Sequence, residues 1–326
     1  MTRDLKTNQT RANKLAMLRE TEGIREIARN YAAALDAIRS DLARLYERYA
    51  ENGKLTHAEM SKYNRLRSLE RQLTETIRPV ALKNNRLIEK ISEVSYEESF
   101  YRHAWSLDQH IGVSLRWGLL SPDQVRAAVE NPLRELAKRD LSQATLTRIR
   151  RAISQGLIRG TSLRGMMKDV REAMNTTAND AMRIVRTEAH RARELGSWDA
   201  TKKAAEQGIE LVKVWDATLD NRTRSNHGSM DGQRRKVVTE NGAVNLERPF
   251  QSPSGAQAAY PGGFGVARED INCRCDVVDE VEGFPPTIRR TREDGLQPYQ
   301  TFSTWAQAHG VKASRYGERY NFVKAA

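Results

Sequence analysis

The sequence is poor in cysteine and in long apolar runs, and each scarcity excludes a class of protein. Only two cysteines occur among 326 residues, Cys273 and Cys275, so a disulfide framework is excluded and a reducing compartment is the natural setting. No apolar run approaches the roughly 20 residues of a membrane span, so we expect no membrane partner. The first residues, MTRDLKTNQTRANKLAML, lack the apolar stretch and cleavage site of a secretory signal.

Acidic residues are outnumbered, and the formal net charge is +12. The excess is concentrated in residues 131–171, with ten Lys/Arg against three Asp/Glu, and in residues 283–326, with seven against three. Such stretches favour a polyanionic partner such as double-stranded DNA, although acidic protein surfaces or plain solvation of helix faces would suit them equally. The candidate DNA-contacting residues are Arg148, Arg150, Arg151 and Arg159.

The first half of the chain has the apolar periodicity of helices. Apolar residues recur at three- and four-residue steps over 24–49 and again over 60–77. Asn52-Gly53 is typical of a helix end, and Thr56 with Glu59 forms a capping-box pattern for the next helix. The two helices should pack as an antiparallel hairpin, and Pro79 should kink or break the second one.

Later segments change from helical to strand periodicity. Ser121-Pro122 should begin a helix, another should close near Gly160, and a third should run from about 177 to 207 and stop at Gly208. Beyond Gly208, alternation predicts strands over 209–215, 233–238 and 273–281, and residues 249–265 are typical of a long ordered loop.

The predicted fold is therefore of the α+β class. A long helical region, residues 1–175, precedes a small α+β domain with a short antiparallel sheet, residues 176–282, and an extended tail, residues 283–326. The tail is basic and carries seven aromatic residues, so we expect it to dock on the body of the protein or on a partner.

The first motif with chemical potential is Arg186-Thr187-Glu188, followed by His190 and Arg191 on the same helix. Glu188 and Arg191 are three residues apart and can pair on one face. We interpret the pair as structural, either on the helix surface or joining helix to sheet, because catalytic pairs are rare.

The second motif runs from Asp216 to Gly232, directly after a strand. Its side chains Asp220, Arg222, His227 and Asp231 could bind phosphate or serve in acid–base catalysis, which would suit a metal-dependent nuclease or another phosphoryl-transfer enzyme. They could equally build a hydrogen-bonded turn. The structural interpretation is favoured, because no set of nucleophile, base and orienting group is visible.

The third motif is Asn272-Cys273-Arg274-Cys275. In a strand the two sulfurs would lie on one face, well placed for a metal and poorly placed for a mutual disulfide. With His227 they supply three zinc-type ligands, and Asp231 or Asp270 could be the fourth. The spacing C-x-C differs from the usual C-x₂₋₄-C, so small buried residues packed in a core are the alternative.

In their order, these pieces resemble the phage head morphogenesis family, the minor head proteins similar to the F protein of phage Mu. The resemblance covers roughly residues 178–282, under a third of the chain. It is carried by R-T-E at 186–188, Trp215, D-x-R-T-R-x-x-H at 220–227, M-D-G at 230–232, Phe250, Pro261-Gly262 and I-N-C-R-C at 271–275. The residues that it marks as structural are Arg186, Thr187, Glu188, Trp215, Asp220, Arg222, His227, Asp231, Gly232, Asn272, Cys273 and Cys275.

The resemblance implies a minor structural protein of a tailed-phage head and not an enzyme. Such proteins are present in few copies at the portal vertex or in the head interior, take part in procapsid assembly in the host cytoplasm, and are linked to DNA entry or exit. The implied partners are the portal protein, other head proteins and packaged DNA. A pure protein–protein adaptor, with the aromatic tail as its docking peptide, is a further alternative.

The chain also departs from the family pattern. Some members have Cys-x-x-Cys where this chain has Arg224-x-x-His227, and His-Pro where it has Asp270-Ile271, which leaves fewer candidate metal ligands here. Other members fuse this domain to a toxin or an enzyme, for which the tail of this chain is short.

Overall fold

A computed structural model describes residues 5–218 and 222–282, with four short pieces beyond them (290–291, 295–296, 307–308 and 310). Asp220 lies outside the described residues, as do the aromatic residues that we expect to dock the tail.

The chain forms two compact units, and each is built from separate stretches of sequence. The first contains Met1–Glu20, Ile91–Glu130 and Arg186–Ala326, and the second contains Thr21–Lys90 and Asn131–Val185. Three long helices contribute residues to both: α1 (Leu5–Tyr49), α3 (Arg65–Ile111) and α6 (Leu163–Ala205). The predicted boundary at residue 175 therefore falls inside the second unit and inside α6. The division of the chain into domains at that residue stays a prediction.

The second unit is all-helical and contains the predicted hairpin. Asn52 and Gly53 have φ values of 50° and 72°, as the turn requires. Across the hairpin, Asn30 Nδ2 donates to Asn84 Oδ1 at 2.7 Å, and helix α5 (Pro132–Arg159) packs beside it. The buried apolar residues of this unit include Ile27, Ile38, Leu42, Leu69, Leu73, Ile77, Ile149, Ile153 and Leu157.

Two details of the hairpin differ from the prediction. Thr56 does cap a helix, but that helix, α2 (His57–Ser61), is short, and a 3-10 turn (Lys62–Asn64) with positive φ at Tyr63 and Asn64 separates it from α3. Of the two predicted effects of Pro79, a break is wrong, because α3 continues through it, and a kink stays a prediction. Pro79 is exposed, so water can serve the carbonyl that loses its helical donor.

The helical part of the first unit includes α4 (Pro122–Val129), which has the predicted capping box between Ser121 and Gln124. Helix α6 begins at Leu163, earlier than the predicted residue 177, and Gly208 adopts a φ of 85° just past its end. None of the described helices is long and apolar enough to cross a membrane.

A four-stranded antiparallel sheet completes the first unit and confirms the predicted class. Its order is β3-β2-β1-β6, with β1 at Leu211–Asp216, β2 at Arg234–Glu240, β3 at Ala243–Leu246 and β6 at Asp276–Val281. The cysteines lie just before β6 and not within it, which corrects the predicted strand over 273–281. Register pairs Trp215 with Val277 and Lys213 with Asp279.

The predicted loop over 249–265 contains a small two-stranded sheet, β4 (Phe250–Gln251) with β5 (Gln257–Ala258). Two single-turn helices, α7 (Ser225–Gly228) and α8 (Ala267–Asp270), flank it in sequence, and a further strand pair, β7 (Arg290–Thr291) with β8 (Gly295–Leu296), follows the domain. Trp215, Phe250, Phe264, Cys275 and Val277 form one apolar cluster under these loops.

Candidate metal centre and neighbouring polar clusters

The turn that follows β1 is held by its own backbone and by Asp231. The amide of Gly232 donates to the carbonyl of Trp215 at 2.9 Å, and the amide of Ala217 donates to Asp231 Oδ1 at 2.8 Å. Asp231 is exposed and acts as a turn cap, so it does not reach the cysteines as the predicted fourth ligand. The turn places His227, on α7, against the interior.

The cysteine segment is fixed from two sides. Asn272 has a φ of 55°, and its amide donates to Thr187 Oγ1 of α6 at 3.2 Å. The guanidinium of Arg224 donates to the carbonyls of Glu269 and Ile271, which ties the segment to the turn that carries His227. The R-T-E helix and the two motifs after it therefore converge, as the resemblance implies.

His227, Cys273 and Cys275 meet in one buried cluster. His227 Nδ1 lies 3.5 Å from the sulfur of Cys273 and 3.5 Å from the sulfur of Cys275. The three ligand atoms all lie within 4.8 Å of one another, and the residues are 2%, 5% and 1% exposed. Both cysteines are free thiols.

Glu269 contacts the ring nitrogen of His227 that faces away from the cysteines, and it was not among the predicted site residues. Its Oε2 lies 2.9 Å from His227 Nε2 and accepts from Asn226 Nδ2 at 2.7 Å, while Oε1 accepts from Ser254 Oγ at 2.6 Å. The neighbouring Asp270, predicted as a possible ligand, instead accepts from the amides of Phe264 and Val266. No local pattern distinguishes the buried carboxylate from the capping one.

The protonation of the cluster is strongly perturbed. The hydrogen bond from Cys273, reinforced by His227 and Trp215 against the cost of burial, lowers the pKa of Cys275 to about 5. The same bond to Cys275, together with burial, raises the pKa of Cys273. Burial opposes the charged form of His227, but Cys275 and Glu269 outweigh burial and raise its pKa.

Aromatic rings pack around His227. The ring centroids of Trp215 and His227 are 6.2 Å apart in an edge-to-face arrangement, and Phe264 lies 6.0 Å from His227. Phe250 packs on Trp215 at 5.2 Å. These residues explain why the resemblance includes Trp215 and Phe250, which form the wall of the site.

The R-T-E motif has structural contacts. Glu188 pairs with Arg191 at 3.2 Å, as predicted, and Arg191 also donates to the carbonyl of Val129 at 2.6 Å. Arg186 lies 3.9 Å from Glu20 of α1. The motif therefore joins α6 to α1, to the end of α4 and to the cysteine segment.

A second group of potential metal ligands, His190, Glu194 and Asp276, lies buried on α6 and at the start of β6. The guanidinium of Arg193 donates to Asp276 Oδ1 and contacts His190 Nδ1, both at 2.7 Å. A positive charge already serves these ligands, so a metal cation would be repelled there. Burial and Asp276 raise the pKa of Glu194 to about 8.

A third cluster, which we call the Lys213 network, joins four elements of the first unit. Asp279 pairs with Lys213 Nζ at 2.9 Å and with His103 Nε2 at 2.5 Å, Thr201 donates to Asp279 at 2.8 Å, and Ser197 Oγ lies 3.2 Å from His103 Nδ1. The order Ser–His–Asp resembles a hydrolase triad, but all these residues are buried, so no substrate reaches them.

Of the residues considered for phosphoryl transfer, the three that the structure describes do not gather at a surface cleft. His227 faces the cysteines from within the core, Asp231 caps the amide of Ala217, and Arg222 is exposed.

The four candidate DNA-contacting arginines differ in availability. Arg148 pairs with Asp180 at 2.9 Å, Arg159 pairs with Asp169 at 2.5 Å, and Arg150 donates to Thr74 at 3.3 Å. Arg151 is exposed. Elsewhere in the same unit, a groove is lined by Arg39, Ser162, Leu163, Arg164, Gly165, Met167, Lys168 and Arg171, with no acidic residue.

Comparison with known proteins agrees with the motif resemblance. Residues 147–278 match the family described as Phage Mu protein F like protein. The chain is 28% identical over 293 residues to minor head protein GP7 of Bacillus phage SPP1, which covers 87% of this chain and 92% of GP7. The predicted resemblance to Mu F-like head proteins is therefore confirmed.

A second relative carries an enzyme name. The chain is 27% identical over 294 residues to the NAD(+)–arginine ADP-ribosyltransferase EFV of Enterococcus faecalis (strain ATCC 700802 / V583), which covers 87% of this chain but 57% of that relative. The chain thus spans little more than half of the length of that protein. No solved structure matches the chain.

Proposed function

We propose that this chain is a minor structural protein of a tailed-phage head that acts at the portal vertex during procapsid assembly. The observation that carries the proposal is the extent of the similarity to GP7, which spans most of both chains. The likeness therefore includes the long helices as well as the region that matches the family. We place the protein in the virion, in the head interior or at the portal vertex, after assembly in the host cytoplasm.

A non-enzymatic role fits the site better than catalysis. The most reactive groups, Cys275 and His227, are almost wholly buried and face structural neighbours. For the relative named as an ADP-ribosyltransferase, 43% of the length has no counterpart in the match. We infer that the named activity belongs to that part, which this chain does not share.

Co-expression with the portal protein tests the proposed partner. A tagged portal should retain the full chain through purification, and a chain that ends at Glu282 tests whether the tail contributes. The matched control is the portal co-expressed with an unrelated basic helical protein. If the full chain separates from the portal even at low salt, the proposed position at the portal vertex is wrong.

Contact with packaged DNA is the second part of the proposal. Because Arg148, Arg150 and Arg159 already have partners, the acid-free groove offers the better phosphate-binding surface. Arg164, Lys168 and Arg171 are spaced four and three residues apart on α6, so they share one helix face, and Arg39 of α1 joins them. This arrangement suits a run of backbone phosphates.

A salt series distinguishes the two sets of cations. Binding of a labelled duplex by anisotropy should weaken as salt rises, and the triple variant Arg164→Ala, Lys168→Ala, Arg171→Ala should lower the log–log slope by up to about 2.7. The variant Arg148→Ala, Arg150→Ala, Arg151→Ala should change it less, and the exposed Arg71→Ala serves as control. An unchanged slope in both triple variants would remove DNA contact from this unit.

A further inference from the structure

The geometry points to a zinc site formed by His227 Nδ1 and the sulfurs of Cys273 and Cys275, with Glu269 orienting the histidine. The site is structural and does not depend on the proposed role in the phage head. The same three residue types were candidates from the sequence, and the structure adds the atoms, the distances and the fourth residue.

The distances between the sulfurs and the histidine nitrogen fit a zinc ion. Zinc bonds of about 2.3 Å to sulfur and about 2.05 Å to nitrogen, at tetrahedral angles, place the sulfur and nitrogen atoms about 3.6 Å apart. Both observed sulfur-to-nitrogen distances are 3.5 Å. Both sulfur-to-nitrogen distances thus already match the spacing that a shared tetrahedral ion requires.

The orientation of His227 also fits that of a metal ligand. A metal-binding histidine usually donates its other ring N–H to a carboxylate, which fixes the tautomer and makes the ligand nitrogen more basic. Here the buried carboxylate of Glu269 lies 2.9 Å from Nε2, and Asn226 and Ser254 hold that carboxylate in place. With its proton on Nε2, His227 presents the lone pair of Nδ1 to the two sulfurs.

A bound ion would stabilise the loop-rich region that precedes β6. His227 is on α7, and the cysteines precede β6, so the site closes a region made of short strands and turns between residues 217 and 275. An apolar cluster packs under this region, and a bound metal would add folding free energy to it directly. Trp215 and Phe264 pack against the ring of His227 and hold it in place.

One coordination position goes to a ligand other than these three. Among the residues whose side chains the structure describes, no further His, Cys, Asp or Glu places its ligand atom with them. Asp231 and Asp270 are occupied by the amides of Ala217 and Phe264. We assign the fourth position to a solvent molecule, so the site differs from structural zinc sites that four protein ligands close.

The competing explanation is a metal-free cluster in which His227 and the two thiols share hydrogen bonds, for which 3.5 Å is also a suitable length. The two explanations differ in measurable composition. The full chain, expressed with added zinc and purified without chelator, should carry about one zinc ion per chain by elemental analysis. After chelation, cobalt(II) should restore binding with thiolate-to-cobalt charge-transfer absorption.

Variants locate the ion. Cys275→Ala should abolish stoichiometric zinc, and Glu269→Gln should weaken zinc affinity by about 10- to 100-fold while all three ligands remain. The exposed His57→Ala is the matched histidine control and should keep full zinc content. If Cys275→Ala fails to fold, the zinc affinity of Glu269→Gln and the cobalt spectrum of the wild-type chain still distinguish a zinc site from a metal-free cluster. Wild-type protein without zinc and without the charge-transfer band overturns the proposal, as does equal zinc affinity in Glu269→Gln.

Discussion

The first unit holds two buried polar clusters of opposite character. In the Lys213 network, one carboxylate faces one ammonium and one imidazole, so charge is balanced within the protein. In the His227 cluster, two sulfurs and a ring nitrogen face one another, and all three are electron-pair donors to a metal. The closed set of opposite charges therefore has a structural role, whereas the convergence of three donor atoms is the observation that supports the proposed cation site.

Removing the ammonium of the Lys213 network should give the largest loss of stability. Lys213→Met leaves Asp279 buried without its main counter-charge, which typically costs about 3–5 kcal/mol. Urea unfolding followed by tryptophan fluorescence measures it, because the four tryptophans that the structure describes, Trp105, Trp117, Trp198 and Trp215, belong to the first unit.

The matched control is Lys203→Met, which removes a surface lysine paired with Glu206 at 3.3 Å and should cost under about 1 kcal/mol. Zinc content should be unchanged in Lys213→Met, since the network and the metal centre share no residue. Equal losses in the two lysine variants would contradict the assigned role of the buried pair.

A close approach of α3 to α6 brings His103 to Ser197 and Thr201, and Gly196 makes it possible. A methyl group at Gly196 would overlap the carbonyl oxygen of Tyr96 and lie 3.2 Å from the amide nitrogen of Phe100. Gly196→Ala should therefore destabilise the first unit by about 1–3 kcal/mol, although alanine normally favours a helix.

Gly165→Ala is the matched control on the same helix, because its methyl group would meet Thr161 at 3.4 Å, ordinary contact. It should be neutral or stabilise the protein by up to about 1 kcal/mol. The thermal unfolding temperature should fall in Gly196→Ala and should stay the same or rise in Gly165→Ala. A stabilised Gly196→Ala would mean that the helices are not held this close.

The two clusters also differ in how far the sequence predicts them. His227, Cys273 and Cys275 are residue types with recognisable chemistry in a recognisable order, so their convergence could be predicted. Lys213 shares a strand face with Leu211 and Trp215, which are both buried, but a lysine is a residue type expected in solvent. Its burial therefore depends on the partners that neutralise it, which the strand pattern does not reveal. Its partners, His103 and Asp279, come from distant elements.

The same limits apply to the fold. Periodicity and caps located the hairpin, the capping box at Ser121 and the antiparallel sheet, because these depend on local sequence. The continuity of α3 through Pro79 was not predictable, since it depends on neighbouring turns and on water at an exposed carbonyl. Glu269 was missed because its burial follows from contacts with Asn226 and Ser254, which no local pattern reveals.

The smallest predicted effect is a pH dependence that originates in the Lys213 network. Burial, with Lys213, lowers the pKa of His103 below 6.5 despite the attraction of Asp279, while Thr201 and Ser197 contact the same ring. The unfolded chain therefore binds more protons below pH 6.5 than the folded chain, and stability falls as pH falls from 6.5 towards 5. The contribution of one such group is at most about 1.4 kcal/mol per pH unit.

His103→Gln should flatten this dependence, measured as the urea midpoint between pH 7.5 and 5. His227, Cys273, Cys275 and His190, whose pKa burial also lowers, are present in both the wild type and the variant. The difference between the two slopes of urea midpoint against pH therefore isolates His103. The direction of the effect is also a test. If Asp279 instead stabilised the charged form of His103, the wild-type protein would gain stability on acidification. Parallel pH profiles for wild type and variant would show that the ring titrates alike in the folded and unfolded chains, and the network would then be held by Lys213 and Asp279 alone.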